Sequence, residues 1–168
     1  MNRLRVILVL QLLFFLGWAG YLLSSRDSGS QEFYLETAPV DPRDILSGTY
    51  VALNYAISRP SVGDCSASAA YGPVYVKLEY KGKTAQVPAG TVQVYEATDC
   101  RRNPPQEPGW AAGSLQYSWG GNAVKYGIEK FFLNENDPRK DARSGSVLAK
   151  VKIGSGRKLV LLDLVNKI

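Results

Sequence analysis

Few side chains in this chain can carry catalytic chemistry, because its 168 residues include no histidine and only two cysteines. The lack of histidine excludes Ser-His-Asp and Cys-His catalysis and every zinc site that uses histidine. Two cysteines cannot build a four-cysteine zinc or iron–sulfur site, so we expect no metal and no other cofactor. Cys65 and Cys100 lie in loop-like stretches. In an oxidising compartment they are expected to form one disulfide, with two buried free thiols as the alternative.

The polar run Asp41-Pro42-Arg43-Asp44 is the first cluster that could bind or react. Pro42 fixes its own φ and Asp41 can cap the N–H groups that follow, so the run is expected to form a turn. Asp41, Arg43 and Asp44 are candidates for an interaction surface on that turn. Gly48 then permits a bend before the next strand.

Two tyrosines follow in the stretch SGTYVALNY, where an alternating pattern predicts a strand over Tyr50–Ser58. Tyr50 and Tyr55 differ in parity, so a regular strand points them to opposite faces. We therefore expect Tyr55 in the core with Leu53, and we keep Tyr50 as a binding candidate on the other face.

Glu129 is the acid whose surroundings need most explanation, because it lies in a predicted apolar strand over 123–133. A carboxylate there must be paired, hydrogen-bonded or placed at the rim of a cleft. Arg43 and Lys125 are the expected partners, in a structural ion pair. The alternative, a ligand-binding or general-acid role, lacks a second acid at a suitable local spacing.

The stretch VDPRDILSGTYVALNYAI resembles the signature of the GDYXXLXY family, a group of bacterial proteins named for that motif. The matching positions are Gly48, Tyr50, Leu53 and Tyr55. A second stretch, YGIEKFF from Tyr126 and Gly127 through Glu129, with Glu135 after it, is similar to a downstream family strand. The closing segment SVLAKVKI…RKLVLLDL also resembles the family's usual ending.

The resemblance implies a membrane-anchored protein in a family of unknown function, often encoded beside multi-pass membrane proteins. It makes Tyr126, Glu129 and Glu135 candidates for binding, and Gly48, Leu53, Tyr55 and Gly127 structural motif residues. Thr49 stands where the family name has aspartate. A mechanism that needs that carboxylate is therefore in doubt, whereas a strand-entry role tolerates threonine.

Two other functions compete with an interaction role. Signal peptidases also place an anchor before an exported β-domain, and VDPRDILSGT is faintly similar to their serine motif, but Val40 occupies the nucleophile's position. A glycan or small-ligand site is the other option, because Trp110, Tyr117, Trp119 and Tyr126 cluster in the sequence.

The segments that must position these residues begin with a membrane anchor at 1–23. Residues 6–23 are apolar apart from Gln11, long enough at about 1.5 Å per residue to cross a bilayer. Arg3 and Arg5 predict a cytoplasmic N-terminus, which places the remainder outside the inner or plasma membrane. A flexible linker at 24–31 follows.

Residues 32–168 carry a mainly β pattern of eight or nine strands separated by turn residues. The sequence predicts an antiparallel barrel or sandwich-like domain with one short helix over Pro138–Arg143. Three of the 20 basic and one of the 15 acidic residues precede Gln31, which leaves this domain near +3. That charge is too small to indicate a nucleic-acid partner.

Together these features predict a single-pass, non-catalytic envelope protein. Its expected role is that of an interaction or accessory module for a multi-pass membrane partner.

Overall fold

The computed structural model describes residues 2–24, 32–38, 50–66, 71–118, 121–132 and 145–168. The chain divides into two compact units, Met1–Ser30 and Gln31–Ile168. The first contains helix α1 (Asn2–Ser24), which is apolar enough over Arg5–Leu22 to span a membrane. The run forms a helix because it contains no proline and few β-branched residues.

The second unit is mainly β, as the alternating sequence pattern predicts, and its sheet curls into a half-barrel. Its strands in the described residues are β1 (Glu32–Ala38), β2 (Tyr50–Ala52), β3 (Asn54–Tyr55), β4 (Gly72–Val87), β5 (Gly90–Arg101), β6 (Trp110–Ser118), β7 (Gly121–Lys125), β8 (Lys130–Phe132), β9 (Val147–Ile153) and β10 (Leu159–Asn166). The predicted helix over Pro138–Arg143 lies outside the described residues.

The main sheet has the order β10-β9-β1-β5-β4-β6-β7, and β3 joins it beside β1. Strand alternation explains its core: Val74, Val76 and Leu78 of β4 are buried, whereas the residues between them are at least partly exposed. A second, smaller cluster joins Val87 and Val94 to Leu148. Strand β9 is therefore buried on both faces.

The sheet departs from the antiparallel expectation at one place. Tyr34 and Leu35 of β1 pair in parallel with Val94 and Tyr95 of β5. Strand β1 then leaves β5, and its last two residues, Thr37 and Ala38, pair with β3 instead. This change of partner forks the sheet beside β5.

The predicted strand over Tyr50–Ser58 is broken. Strand β2 pairs with β8 in a separate two-stranded ribbon, whereas β3 belongs to the main sheet and leads into a 3-10 turn at Ala56–Ser58. Leu53, between the two strands, donates its backbone N–H to the carbonyl of Glu129 at 2.8 Å. The chain thus crosses from the ribbon to the sheet within three residues.

Candidate functional site

The two motif segments lie against each other, although about 70 residues separate them in the sequence. Val51 in the first pairs with Phe131 in the second, and the flanking pairs extend the ribbon to three residues on each strand. The two strands are antiparallel, so the segments run past each other. Next to the ribbon, Tyr55 of the first segment and Tyr126 of the second each lie beside the backbone of the other segment.

Each segment donates one tyrosine hydroxyl to a carbonyl of the other. The hydroxyl of Tyr55 donates to the carbonyl of Ile128 at 2.6 Å. The hydroxyl of Tyr126 donates to the carbonyl of Ile57 at 2.9 Å. All four residues are buried, so these bonds satisfy carbonyl groups that water does not reach. We call the pair of bonds the tyrosine staple.

Both phenols remain protonated at neutral pH. Burial raises the pKa of Tyr55 well above its ordinary value, and the charge of Glu129 adds to the effect. The same two causes, in the same order, raise the pKa of Tyr126. The hydroxyls are therefore held as donors, which is the state that the tyrosine staple requires.

Glu129 lies in a turn between β7 and β8 rather than in the continuous strand that the sequence predicts. Its carboxylate accepts the backbone N–H of Tyr126 at 2.6 Å and that of Gly127 at 2.9 Å. Gly127 has a φ of 82°, a conformation that disfavours a side chain. The glycine and the carboxylate together make the turn that interrupts the strand.

This arrangement corrects the expected partners of Glu129. Within the described residues, Glu129 makes no ion pair with Lys125, because its two oxygens bind the backbone of the turn. Arg43, the other expected partner, lies outside the described residues.

The remaining predicted site residues divide into two groups. Tyr50 is the first residue of β2, paired with Phe132. The others lie outside the described residues: Asp41, Arg43, Asp44, Gly48 and Glu135. The structure brings together Leu53, Tyr55, Tyr126, Gly127 and Glu129, and it buries Leu53, Tyr55 and Tyr126 in the main core.

A disulfide between Cys65 and Cys100 joins the 3-10 turn Gly63–Cys65 to the end of β5. The carboxylate of Asp64 also accepts the backbone N–H of Arg102 at 3.1 Å. A Cβ added to Gly63 would lie 2.3 Å from the carbonyl oxygen of Cys100, so only glycine permits this approach. The segment that follows β3 is thereby fastened to β5.

The aromatic cluster expected from the sequence is not one exposed surface. Trp110 is 0% exposed, and the guanidinium of Arg101 lies 4.9 Å from the centroid of its ring. Tyr126 is also buried, whereas Tyr117 is exposed. Trp119 lies outside the described residues. Trp110 and Tyr126 therefore cannot stack on a ligand at the surface.

The fork in the sheet opens a cleft that sequence reasoning missed. Its volume is about 200 Å³, and its lining includes Glu36, Ile57, Arg59, Tyr95 and Glu96. These residues come from β1, β5 and the segment after β3, and they meet only because β1 changes partner there. No local spacing in the sequence could have indicated the cleft.

Glu36 is held at the edge of this cleft by two lysines. Lys167 donates to one of its carboxylate oxygens at 2.8 Å, and Lys83 donates to the other. Hydrogen bonds from Lys167 and Lys83 lower the pKa of Glu36. Among the described residues, no group of three or more metal-binding side chains could hold an ion.

These features define a mainly β protein with an apolar N-terminal helix and two distant segments joined by the hydroxyls of buried tyrosines. The model of the GDYXXLXY protein family matches residues 11–164, which is most of the chain, so the chain belongs to that family. The motif residues Tyr50, Leu53 and Tyr55 lie on the ribbon strand β2 and just after it. No curated protein and no solved structure matched the chain.

Proposed function

We propose that this chain is a non-catalytic, single-pass envelope protein that serves as an accessory module for a multi-pass membrane protein. The observation that carries the proposal is that side chains of the motif segments bind the protein's own backbone. The hydroxyls of Tyr55 and Tyr126 and the carboxylate of Glu129 all bind backbone groups of the fold. Groups engaged in this way suit a motif that builds a rigid module better than one that performs chemistry.

The composition of helix α1 supports its role as a membrane anchor. Residues Arg5–Leu22 have a mean hydropathy of 1.8, and their apolar side chains are exposed. A bilayer would remove those side chains from water, which is favourable. We assign Arg3 and Arg5 to the cytoplasmic side, because basic residues flanking a span favour that side.

The disulfide between Cys65 and Cys100 supports an exported location for the β-domain. Cytosolic thiols are kept reduced, whereas disulfides persist in the bacterial periplasm and outside cells. With the N-terminus in the cytoplasm, the β-domain lies in that oxidising space. We place it in the bacterial envelope on these grounds.

Affinity purification from detergent after mild crosslinking tests the accessory role, with the captured proteins identified by mass spectrometry. We expect the full-length chain to capture a multi-pass membrane protein. Tyr55→Ala should lose the capture, because it removes a buried ring and one bond of the tyrosine staple. The matched control Tyr117→Ala removes an exposed ring and should retain it.

Recovery of the chain alone would contradict the accessory role. Equal capture by Tyr55→Ala and wild type would contradict the dependence of that role on the tyrosine staple. Hydrolytic activity of the folded chain on peptide substrates would contradict its non-catalytic character.

A small-ligand or glycan site is the second candidate, and the cleft beside β5 favours it. The cleft combines an aromatic ring, Tyr95, with charged groups of both signs. Such a mixture is typical of sites that orient a polar ligand. Calorimetric titration with envelope glycan fragments tests this candidate: binding that is weakened by Glu96→Gln and by Ser61→Ala, both of them in the lining of the cleft, and that Tyr117→Ala leaves unchanged, would support it.

A further inference from the structure

Gln11 is the polar residue near the middle of helix α1, and the hydrocarbon that would surround it in a membrane is the basis of a further inference. This inference rests on the proposed function, because it requires that α1 crosses a bilayer. Gln11 lies six residues from Arg5, or about 9 Å along the helix axis, within a span whose hydrocarbon surroundings are about 30 Å thick. At that depth its side chain cannot reach the headgroup region.

The carboxamide of Gln11 needs a hydrogen-bonding partner at that depth. A primary amide offers two N–H donors and a carbonyl acceptor, and leaving these groups unpaired in hydrocarbon is costly. The side chain is exposed on the helix. Polar residues inside spanning helices therefore pair across helices as a rule.

The face that carries Gln11 has the spacing of a helix–helix seam. Ile7, Gln11, Phe14 and Trp18 follow one another at intervals of four, three and four residues, the repeat of a left-handed helix pair. All four side chains are exposed, and the rings of Phe14 and Trp18 lie 6.0 Å apart. An apolar seam interrupted by one amide is the pattern that fixes register in paired helices.

We infer that α1 pairs with α1 of a second copy of this chain, in parallel, through a hydrogen bond between the two Gln11 carboxamides. Two copies inserted in the same orientation place Gln11 at the same depth, which an unrelated helix need not do. A carboxamide is both donor and acceptor, so two of them satisfy each other across a two-fold axis. The seam of Ile7, Phe14 and Trp18 packs on either side of this bond.

Energy transfer between copies of the full-length chain in lipid vesicles tests the inference. A donor or an acceptor dye is placed on a cysteine introduced by Ser28→Cys, and the protein-to-lipid ratio is varied. Gln11→Leu should raise the dimer dissociation constant about 3- to 30-fold, the range expected for one interhelical hydrogen bond. Gln11→Asn keeps a carboxamide and should fall between Gln11→Leu and the unsubstituted helix.

Leu13→Ala is the matched control, because Leu13 projects from the side of the helix away from Gln11. It should leave the dissociation constant unchanged. The inference would be overturned if energy transfer were no greater than that of randomly distributed monomers. A dissociation constant for Gln11→Leu equal to that of the unsubstituted chain would also overturn it. The inference would also be overturned if Gln11 were required to capture a multi-pass protein while copies of the chain showed no energy transfer to one another.

Alkaline carbonate extraction separates this failure from failure of the proposed anchor. A chain that carbonate releases from membranes would contradict the anchor itself. A chain that stays in the membrane and remains monomeric would contradict only the pairing of α1.

Discussion

The hydroxyl of Tyr55 lies 2.6 Å from the carbonyl oxygen of Ile128, a residue 73 positions later in the chain. The hydroxyl of Tyr126 makes the return bond to Ile57, 69 positions earlier. Each bond spans from one motif segment to the other, so the segments hold each other in register. The hydroxyls of Tyr55 and Tyr126 therefore serve to hold the fold together.

We expect Tyr55→Phe and Tyr126→Phe each to lower the free energy of unfolding by about 1–2 kcal/mol. Phenylalanine keeps the packing but leaves a buried carbonyl without its donor. Urea denaturation of the full-length protein in detergent, followed by tryptophan fluorescence, measures the loss. Tyr117→Phe is the control and should change nothing, because Tyr117 is exposed. A loss as large for the control as for Tyr55→Phe would refute the role of the tyrosine staple.

Glu129 should tolerate amide substitution better than truncation. Glu129→Gln keeps one acceptor for the turn and is expected to cost about 1 kcal/mol, whereas Glu129→Ala leaves the N–H groups of Tyr126 and Gly127 without a partner and should cost about 2–3 kcal/mol. The same denaturation experiment ranks the two variants. If Glu129→Gln were as damaging as Glu129→Ala, the negative charge and not the turn would be the main contribution.

Local patterns in the sequence predict the parts of the fold that local rules govern. Alternation identifies Val74, Val76 and Leu78 as core, and all three are buried. The stretch Gly120-Gly121-Asn122 is typical of a hairpin turn, and β6 and β7 do pair antiparallel there, as far as Ser118 and Gly121. Both features depend on neighbours in the chain, so the sequence contains the information.

The features that the sequence missed depend on contacts between distant segments. Tyr55 occupies a core-facing position of the alternating pattern whether or not the strand is continuous. Alternation therefore could not show that the strand breaks at Leu53, whose backbone N–H binds the carbonyl of Glu129. The prediction that Glu129 lies in a continuous strand is wrong, because its carboxylate caps a turn. Gly127 alone indicates that turn in the sequence. The cleft around Glu36 and Tyr95 depends on β1 pairing in parallel with β5, a choice that no local spacing encodes.

The disulfide between Cys65 and Cys100 should make a large contribution to the stability of the β-domain. Replacing both cysteines, Cys65→Ser with Cys100→Ser, opens a loop of 35 residues and is expected to cost about 3–4 kcal/mol through the entropy of the unfolded chain. Denaturation with and without reductant measures this cost. The same reductant should leave the double variant unaffected, which controls for effects of reduction elsewhere.

Alkylation with a maleimide that adds mass gives the matching chemical test. Protein taken from the envelope fraction should react at neither cysteine before reduction and at both after it. Two reactive thiols before reduction would contradict the bond, and with it the compartment that we propose for the β-domain.

The stability of the β-domain should also fall in acid, through Glu36. Bonds from Lys167 and Lys83 lower its pKa below the ordinary value of 4.5. A carboxyl whose pKa is lower in the folded state than in the unfolded chain binds fewer protons when folded. Its stabilisation is therefore complete above pH 4.5 and is lost as the pH falls through the lower, folded pKa. We expect a loss of about 1 kcal/mol from this site.

Urea denaturation at pH 7 and at steps from pH 5 to pH 3 measures this dependence. Glu36→Gln removes the charge and should flatten that part of the pH profile while lowering stability at pH 7. Glu79→Gln is the control, because Glu79 also pairs with a lysine, Lys77, but its side chain is more exposed, so its pair contributes less. A pH profile that Glu36→Gln leaves unchanged would contradict the contribution of Glu36 and its two lysines to the loss of stability in acid.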